Sequence, residues 1–263
     1  DSEIITISIV GELLTIDSEK SFFSLLKREY KELFPRLGDR TRFNRTKRNL
    51  HLVISKIRGY ISEFMQLYSN NIRVIDSMPI PVCEFGRAHF SKCFKGEASY
   101  GICASKKETY FGFKFHALTT VDGFLTDYVI TPANIDDRNA VWDLCDKYRS
   151  ISIIGDKGYI NKRLTPELKS ERDIDLLFLK RANSRDNYPK EVRQLLFKVR
   201  RRIETSFSQL TEQLNLNKVK SKSMLGFITR TSIKVLAHNI SFLINKLMRN
   251  DDSMAKIKRL VFG

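Results

Sequence analysis

The sequence predicts an α/β core behind an all-α amino-terminal region, and three observations carry that expectation. Apolar strand-type runs end in a lone aspartate at two places, Arg73-Val74-Ile75-Asp76 and Ile151-Ser152-Ile153-Ile154-Gly155-Asp156. Between them lies a period-two stretch of phenylalanines, and after them a long amphipathic helix. A hydrophobic content of 42% agrees with a folded chain, and 46 basic against 30 acidic residues give a formal charge of +16 that calls for a polyanionic partner. Nucleic acid fits that charge. No apolar run approaches the roughly 18 residues of a membrane-spanning helix, so no membrane role is expected.

Residues 1–70 read as a helical, basic, DNA-binding domain. Ile5, Ile9, Leu13 and Leu14 fall at helical spacing. Asp17 or Ser18 can cap a second helix bearing Phe22, Leu25, Leu26 and Tyr30, which should stop near Pro35. Leu50, Ile54, Ile57, Ile61, Phe64 and Tyr68 make a third stripe. The segment before it holds Arg36, Arg40, Arg42, Arg45, Lys47 and Arg48 around Phe43 and Asn44. Three helices with a basic turn and helix start resemble a helix-turn-helix, with Arg40, Arg42, Arg45, Lys47 and Arg48 as phosphate contacts. The plainer reading is a solvated basic face on a helical bundle. The acidic start, Asp1-Ser2-Glu3, is not a secretory pattern, so a cytoplasmic protein is expected, and the absence of Met at position 1 suggests a truncated amino end.

The catalytic core is expected over 71–217. Pro79 and Pro81 should end the first strand soon after Asp76, leaving the carboxylate at a strand terminus where chemistry collects. Residues 80–109 have poor periodicity and read as a long loop or small insertion. Cys83, His89, Cys93 and Cys103 within it are zinc-type donors, but their spacing is not that of the paired C-x-x-C modules, and simple thiols are the preferred reading.

Phe111, Phe113 and Phe115 then alternate with Gly112, Lys114 and His116, and Asp122-Gly123 turns the chain into a second strand that ends at Pro132. Lys114 and His116 share the face opposite the phenylalanines, where they can reach phosphate. Asn134 to Tyr148 reads as a helix with Val141, Trp142, Leu144 and Cys145 inward. After the Asp156 strand come a helix from about Lys162 to Ser170, a strand Asp175 to Leu179, and a polar loop through Arg181 and Arg185.

The long helix begins at Pro189-Lys190-Glu191, with Leu196, Val199, Ile203, Phe207, Leu210 and Leu214 inward. Glu204 borders that stripe one turn after Arg200, beside Lys198, Arg201 and Arg202. An acid so placed is either half of an ion pair with Arg200 or a third carboxylate for Asp76 and Asp156. Residues 218–263 read as a helix with Leu225, Ile228, Leu236, Ile240, Leu243, Ile244 and Leu247, then a basic tail from Lys256 to Arg259, packing on the core. Three carboxylates beside a basic surface suit two Mg²⁺ ions acting on a phosphodiester.

At these residues the sequence resembles the DDE transposases of bacterial insertion sequences, most closely the insertion sequence 982 family. The resemblance rests on Ser2-Glu3-Ile4-Ile5-Thr6, Phe34-Pro35, Ile75-Asp76-Ser77, Tyr110-Phe111-Gly112-Phe113-Lys114, Gly155-Asp156-Lys157-Gly158-Tyr159 and Arg201-Arg202-Ile203-Glu204. It implies an RNase H-like core with a mixed five-stranded sheet, and a metal triad of Asp76, Asp156 and Glu204 holding two Mg²⁺, with Mn²⁺ able to substitute. It further implies cleavage at transposon ends and joining of the 3′-hydroxyl to target DNA. Double-stranded DNA, as ends and target, is the expected partner, contacted also by Lys157, Arg200 and Arg201. A homodimer is expected in the complex, because two ends must be brought together.

Related transposases often carry a Tyr seven residues before the Glu, an Arg four before and a Lys seven after. Phe197, Arg200 and Thr211 stand at those positions, so only the Arg is kept. Two alternatives remain: an RNase H-like Mg²⁺ nuclease that cuts without joining, and a non-catalytic DNA-binding regulator derived from a transposase.

Overall fold

A computed structural model describes residues 1–103, 107–159, 161, 163–178, 188–248, 255–257 and 260, without the side chains of Tyr68 and Lys157. Lys162, Leu179, Arg181, Arg185 and Arg259, part of the segments foreseen above, lie outside the described residues. In chain order the elements are α1 (Ser2–Leu13), α2 (Glu19–Glu29), α3 (Arg40–Asn49), α4 (His51–Phe64), β1 (Ile72–Pro81), β2 (Ser99–Cys103), β3 (Glu108–Thr119), β4 (Leu125–Pro132), α5 (Ala140–Leu144), β5 (Ser152–Gly155), α6 (Leu164–Arg172), β6 (Asp175–Phe178), α7 (Lys190–Ser208) and α8 (Met224–Leu247). Among the described residues no helix is long and apolar enough to cross a membrane.

The chain divides into two compact units. The first joins residues 1–65 and 92–94 to 208–263. Ser18 caps α2 by accepting the Ser21 N–H at 3.2 Å, and Asp39 caps α3 by accepting the Arg42 N–H at 2.8 Å. The basic run is therefore a helix of its own rather than a turn: Asp39 starts it, and Phe43, buried against Phe23, anchors its one apolar side. On α4, Ile54 and Ile61 are buried but Phe64 is 65% exposed, so the foreseen stripe is narrower than expected.

Against α1, α3 and α4 packs α8. Its buried residues include the unbroken run Thr231 to Asn239, whereas Leu225 and Leu247 are exposed, so the helix is enclosed on all sides rather than along the Leu/Ile stripe. Two of its buried polar groups are visibly partnered: Lys234 Nζ pairs with Glu12, and His238 Nε2 meets Gln209 Oε1 at 3.0 Å.

The second unit, residues 66–91 and 95–207, holds a mixed α/β sheet with the order β2-β3-β1-β5-β6, β4 also pairing with β3. β1 is antiparallel to β3 and parallel to β5, which is parallel to β6. Among the described residues the sheet has six strands rather than five, because part of the supposed loop 80–109 forms β2 on β3, with Ser99 opposite Gly112 and Cys103 opposite Glu108. The foreseen helix 134–148 is helical only over Ala140–Leu144.

β1 also runs further than expected, through both prolines to Pro81. The Val82 N–H donates to the Phe111 carbonyl at 3.0 Å, and by alternation the N–H groups of Ile80, Met78 and Asp76 face β3 as well. Pro79 and Pro81 thus turn their missing donors away from β3, toward an edge where pairing with β5 has already stopped at Val74. Gly112, opposite Pro81, lets the strands meet there; a Cβ at Gly112 would lie 2.2 Å from the Ile80 carbonyl oxygen.

Helices cover both faces of this sheet. Ile75, Leu118, Ile153 and Leu176 pack with Val141 and Leu144 of α5 and Leu164 and Leu168 of α6. On the other face Ile154 packs with Leu196 and Val199 of α7, and Phe115 meets Phe207 at a centroid distance of 6.2 Å. The Ser206 hydroxyl fixes α7 lengthwise by donating to the Gly123 carbonyl at 2.7 Å. This is the layering expected of an RNase H-like core.

Candidate active site

Strand alternation decides which face each acid takes. Ile75 and Ile153 point toward α5 and α6, so Val74 and Asp76, and likewise Ile154 and Asp156, turn toward α7. Val74 is paired with Ile154, where the pairing ends; Asp76 lies two residues on within β1 and Asp156 two residues on, just past β5, near enough to act on each other electrostatically. Glu204 lies on α7, the helix over that face. Arg200 links the set: Nη1 is 3.5 Å from Asp156 Oδ1 and Nη2 is 3.6 Å from Glu204 Oε1. The ion pair anticipated for Glu204 is thus present, and it includes Asp156.

Burial is the main cause that pushes the Asp76 carboxyl up to about 6; the charges of Asp156 and Glu204 add to it. The Ser77 N–H, donating to Asp76 Oδ1 at 2.8 Å, and the Arg200 guanidinium oppose the rise. All four groups share one electrostatic neighbourhood. Among the described residues, however, no three His, Cys, Asp or Glu side chains converge on a common metal-binding point. The donor chemistry fits a hard divalent cation, since all three acids offer oxygen and two of them are more than 40% exposed. A bound cation would have to draw the three carboxylates closer together.

Lys114 and His116 lie on the opposite face from Asp76, Asp156 and Glu204. Ser77 is paired with His116 and Ile75 with Leu118, which places both residues on the α5 and α6 side. They are not solvent-facing there. Lys114 Nζ donates to Asp137 Oδ1 at 2.7 Å and to the Ile135 carbonyl at 2.8 Å. His116 is fully buried, with Nε2 2.9 Å from Thr131 Oγ1, and burial lowers its pKa to about 4, which keeps the ring neutral. The expectation that these two reach phosphate is therefore corrected: the segment after β4 covers their face. Sequence reading missed Asp137, which also accepts from the Ser77 hydroxyl at 3.0 Å. The signal available was Lys114 itself, a cation on an inward strand face that needed an acid.

The other basic residues divide by environment. Arg42 and Arg45 of α3 are exposed. Arg48 is half-buried, and Arg40 is 3.6 Å from Glu19. Lys47 is bound to Glu19 at 2.5 Å and only 14% exposed, so its charge is already used within the helical unit. Arg201 is exposed and lines an open recess of about 590 Å³ along α7 with Lys190, Arg193, Gln194, Phe197 and Lys198. The side chain of Lys157 lies outside the described residues. Cys83, Cys93 and Cys103 are half-buried and outside any disulfide, and with His89 they do not form a metal cluster among the described residues.

A mixed sheet with two aspartates near one another on one face, and a third carboxylate on the helix over them, offers the oxygen donors that metal-assisted phosphodiester chemistry uses. Comparison with protein families takes the identification further: residues 67–224 match the family model described as a transposase DDE domain, and the chain belongs to that family. The match covers more than half of the chain and includes Asp76, Asp156 and Glu204. No curated protein and no solved structure matches.

Proposed function

We propose that this transposase binds the terminal inverted repeats of an insertion sequence of the 982 kind, hydrolyses phosphodiester bonds at the element ends and joins the freed 3′-hydroxyl to target DNA. The observation that supports it best is that Asp76, Asp156 and Glu204 share one electrostatic neighbourhood, the first two just beyond the paired Val74 and Ile154 and the third on the covering helix. In this reading the three acids hold two Mg²⁺, or Mn²⁺ in their place. When bound, such ions activate the attacking oxygen and stabilise the leaving one.

The chain's own contribution is position and field. β1 and β5 fix the two aspartates on a rigid sheet, α7 fixes Glu204, and Ser77 holds the strand beneath Asp76 through Asp137 and Lys114. Exposed arginines on α3 and the basic side of α7 supply attraction for phosphate. The protein acts as a homodimer on two DNA ends in the cytoplasm.

The test is incubation of the full chain with duplexes carrying candidate element ends, with and without Mg²⁺, read on a denaturing gel. Cleavage followed by joined products supports the proposal. Cleavage without joining would favour a nuclease, and binding that ignores the metal and yields neither product would favour a regulator.

A further inference from the structure

Resting on the triad reading, we propose that Arg200 is the resident counter-ion of Asp156 and Glu204, occupying that pair until a divalent cation displaces it. Its two terminal nitrogens each serve a different carboxylate, at 3.5 and 3.6 Å. Those separations exceed hydrogen-bond length and mark ion pairs held by charge alone. Lys114 and Asp137 in the same unit show what a committed pair looks like, at 2.7 Å with further hydrogen bonds on both partners. Arg200 Nε, moreover, is buried and has no hydrogen-bond partner among the described residues. A guanidinium so placed is incompletely satisfied, unlike the arginines that usually lock a fold.

Geometry and charge make the exchange natural. Arg200 and Glu204 are one turn apart on α7, so the helix holds the guanidinium beside the acid whether or not a metal is present. Without a cation, clustered carboxylates repel, and Arg200 screens two of the three. A divalent ion brings more charge to a smaller space and asks for the same oxygens, so metal loading and release of Arg200 are a single exchange.

The experiment titrates Mn²⁺ into the DNA-free full chain and follows free Mn²⁺ by electron paramagnetic resonance, with thermal melting as a check of folding. Removing two weak, partly exposed pairs should tighten Mn²⁺ binding by about three- to tenfold in Arg200→Gln. Arg200→Lys keeps the charge but offers one ammonium instead of a fork, so it should fall between the wild type and Arg200→Gln. Folded variants that bind Mn²⁺ no more tightly than the wild type would overturn the exchange. Failure of both variants to fold would also overturn it, by making Arg200 a structural residue. Absence of Mn²⁺ binding by wild type and variants alike would instead count against the triad reading itself.

Discussion

Asp76 and Asp156 each lie two residues beyond the paired Val74 and Ile154, past the point where the two parallel strands stop pairing. Asp76 stays within β1, held by β3 opposite Ala117, whereas Asp156 follows the last residue of β5. One aspartate is thus braced on a strand and the other sits on an opening turn. If both serve one centre, Asp76→Asn and Asp156→Asn should each abolish Mg²⁺-dependent end cleavage, and the double variant should be little worse than either. Cleavage assays on folded variants check this; independent, multiplying losses would separate the two residues.

Glu204→Gln keeps size and helix propensity while removing the anionic oxygen that a hard cation requires. Cleavage and joining should both collapse while DNA binding survives. Since the Glu204 side chain is 54% exposed, loss of its pair with Arg200 should cost at most about 1 kcal/mol of stability. A folded variant that cleaves at a near-native rate would sink the assignment.

On α3, exposed Arg42 and Arg45 are placed for phosphate, whereas Lys47 is committed to Glu19. Alanine at Arg42 or Arg45 should each reduce the slope of log K against log salt by about 0.9. Lys47→Ala should leave that slope unchanged and lower stability instead, because half-buried Glu19 loses its closest cation and keeps only Arg40 at 3.6 Å and the Asn44 amide. Binding isotherms at several salt concentrations distinguish these residues, and equal slope changes at all three would refute the division.

Acidity should weaken the fold through His238. This ring is fully buried, and burial lowers its pKa from 6.5 to about 4, so the unfolded chain binds its proton more readily than the folded one between those values. Its contribution is complete above pH 6.5 and is lost as pH falls toward 4, to the extent of about 3 kcal/mol. Asp76 acts in the opposite sense: its raised pKa makes ionisation costly above about pH 6, and that cost fades toward 3.8. Urea denaturation across this range should show a shallower pH dependence in His238→Gln. An unchanged dependence would mean the ring is not charged on unfolding.

The thiols of Cys83, Cys93 and Cys103 should hold no stoichiometric zinc, and chelation should leave the melting temperature unchanged. Metal analysis of purified protein checks it; one zinc per chain would reverse the reading.

Local pattern was enough for several elements. Alternation marked the hairpin, apolar runs marked the strands before Asp76 and Asp156, and three- and four-residue spacing marked α7 with Leu196, Ile203 and Phe207 inward. These signals are legible because each depends on neighbours close in sequence. β2 was hidden because its residues alternate poorly, and it is a strand only because β3 offers an edge. Both prolines argue against the end of β1 as strand, since the sequence does not reveal that pairing with β5 stops at Val74.

By itself the sequence determined the acids, the basic balance and the family to which they belong. Tertiary structure decided the faces. Strand parity and pairing put Asp76 and Asp156 under α7 and turned Lys114 and His116 to the other side, against Asp137. The enclosure of α8 likewise depends on α1, α3 and α4, which lie far from it in the chain. A periodicity says that a residue turns inward, but its neighbour there is set by contacts between distant segments, and those contacts decide whether a charge meets solvent or a buried partner.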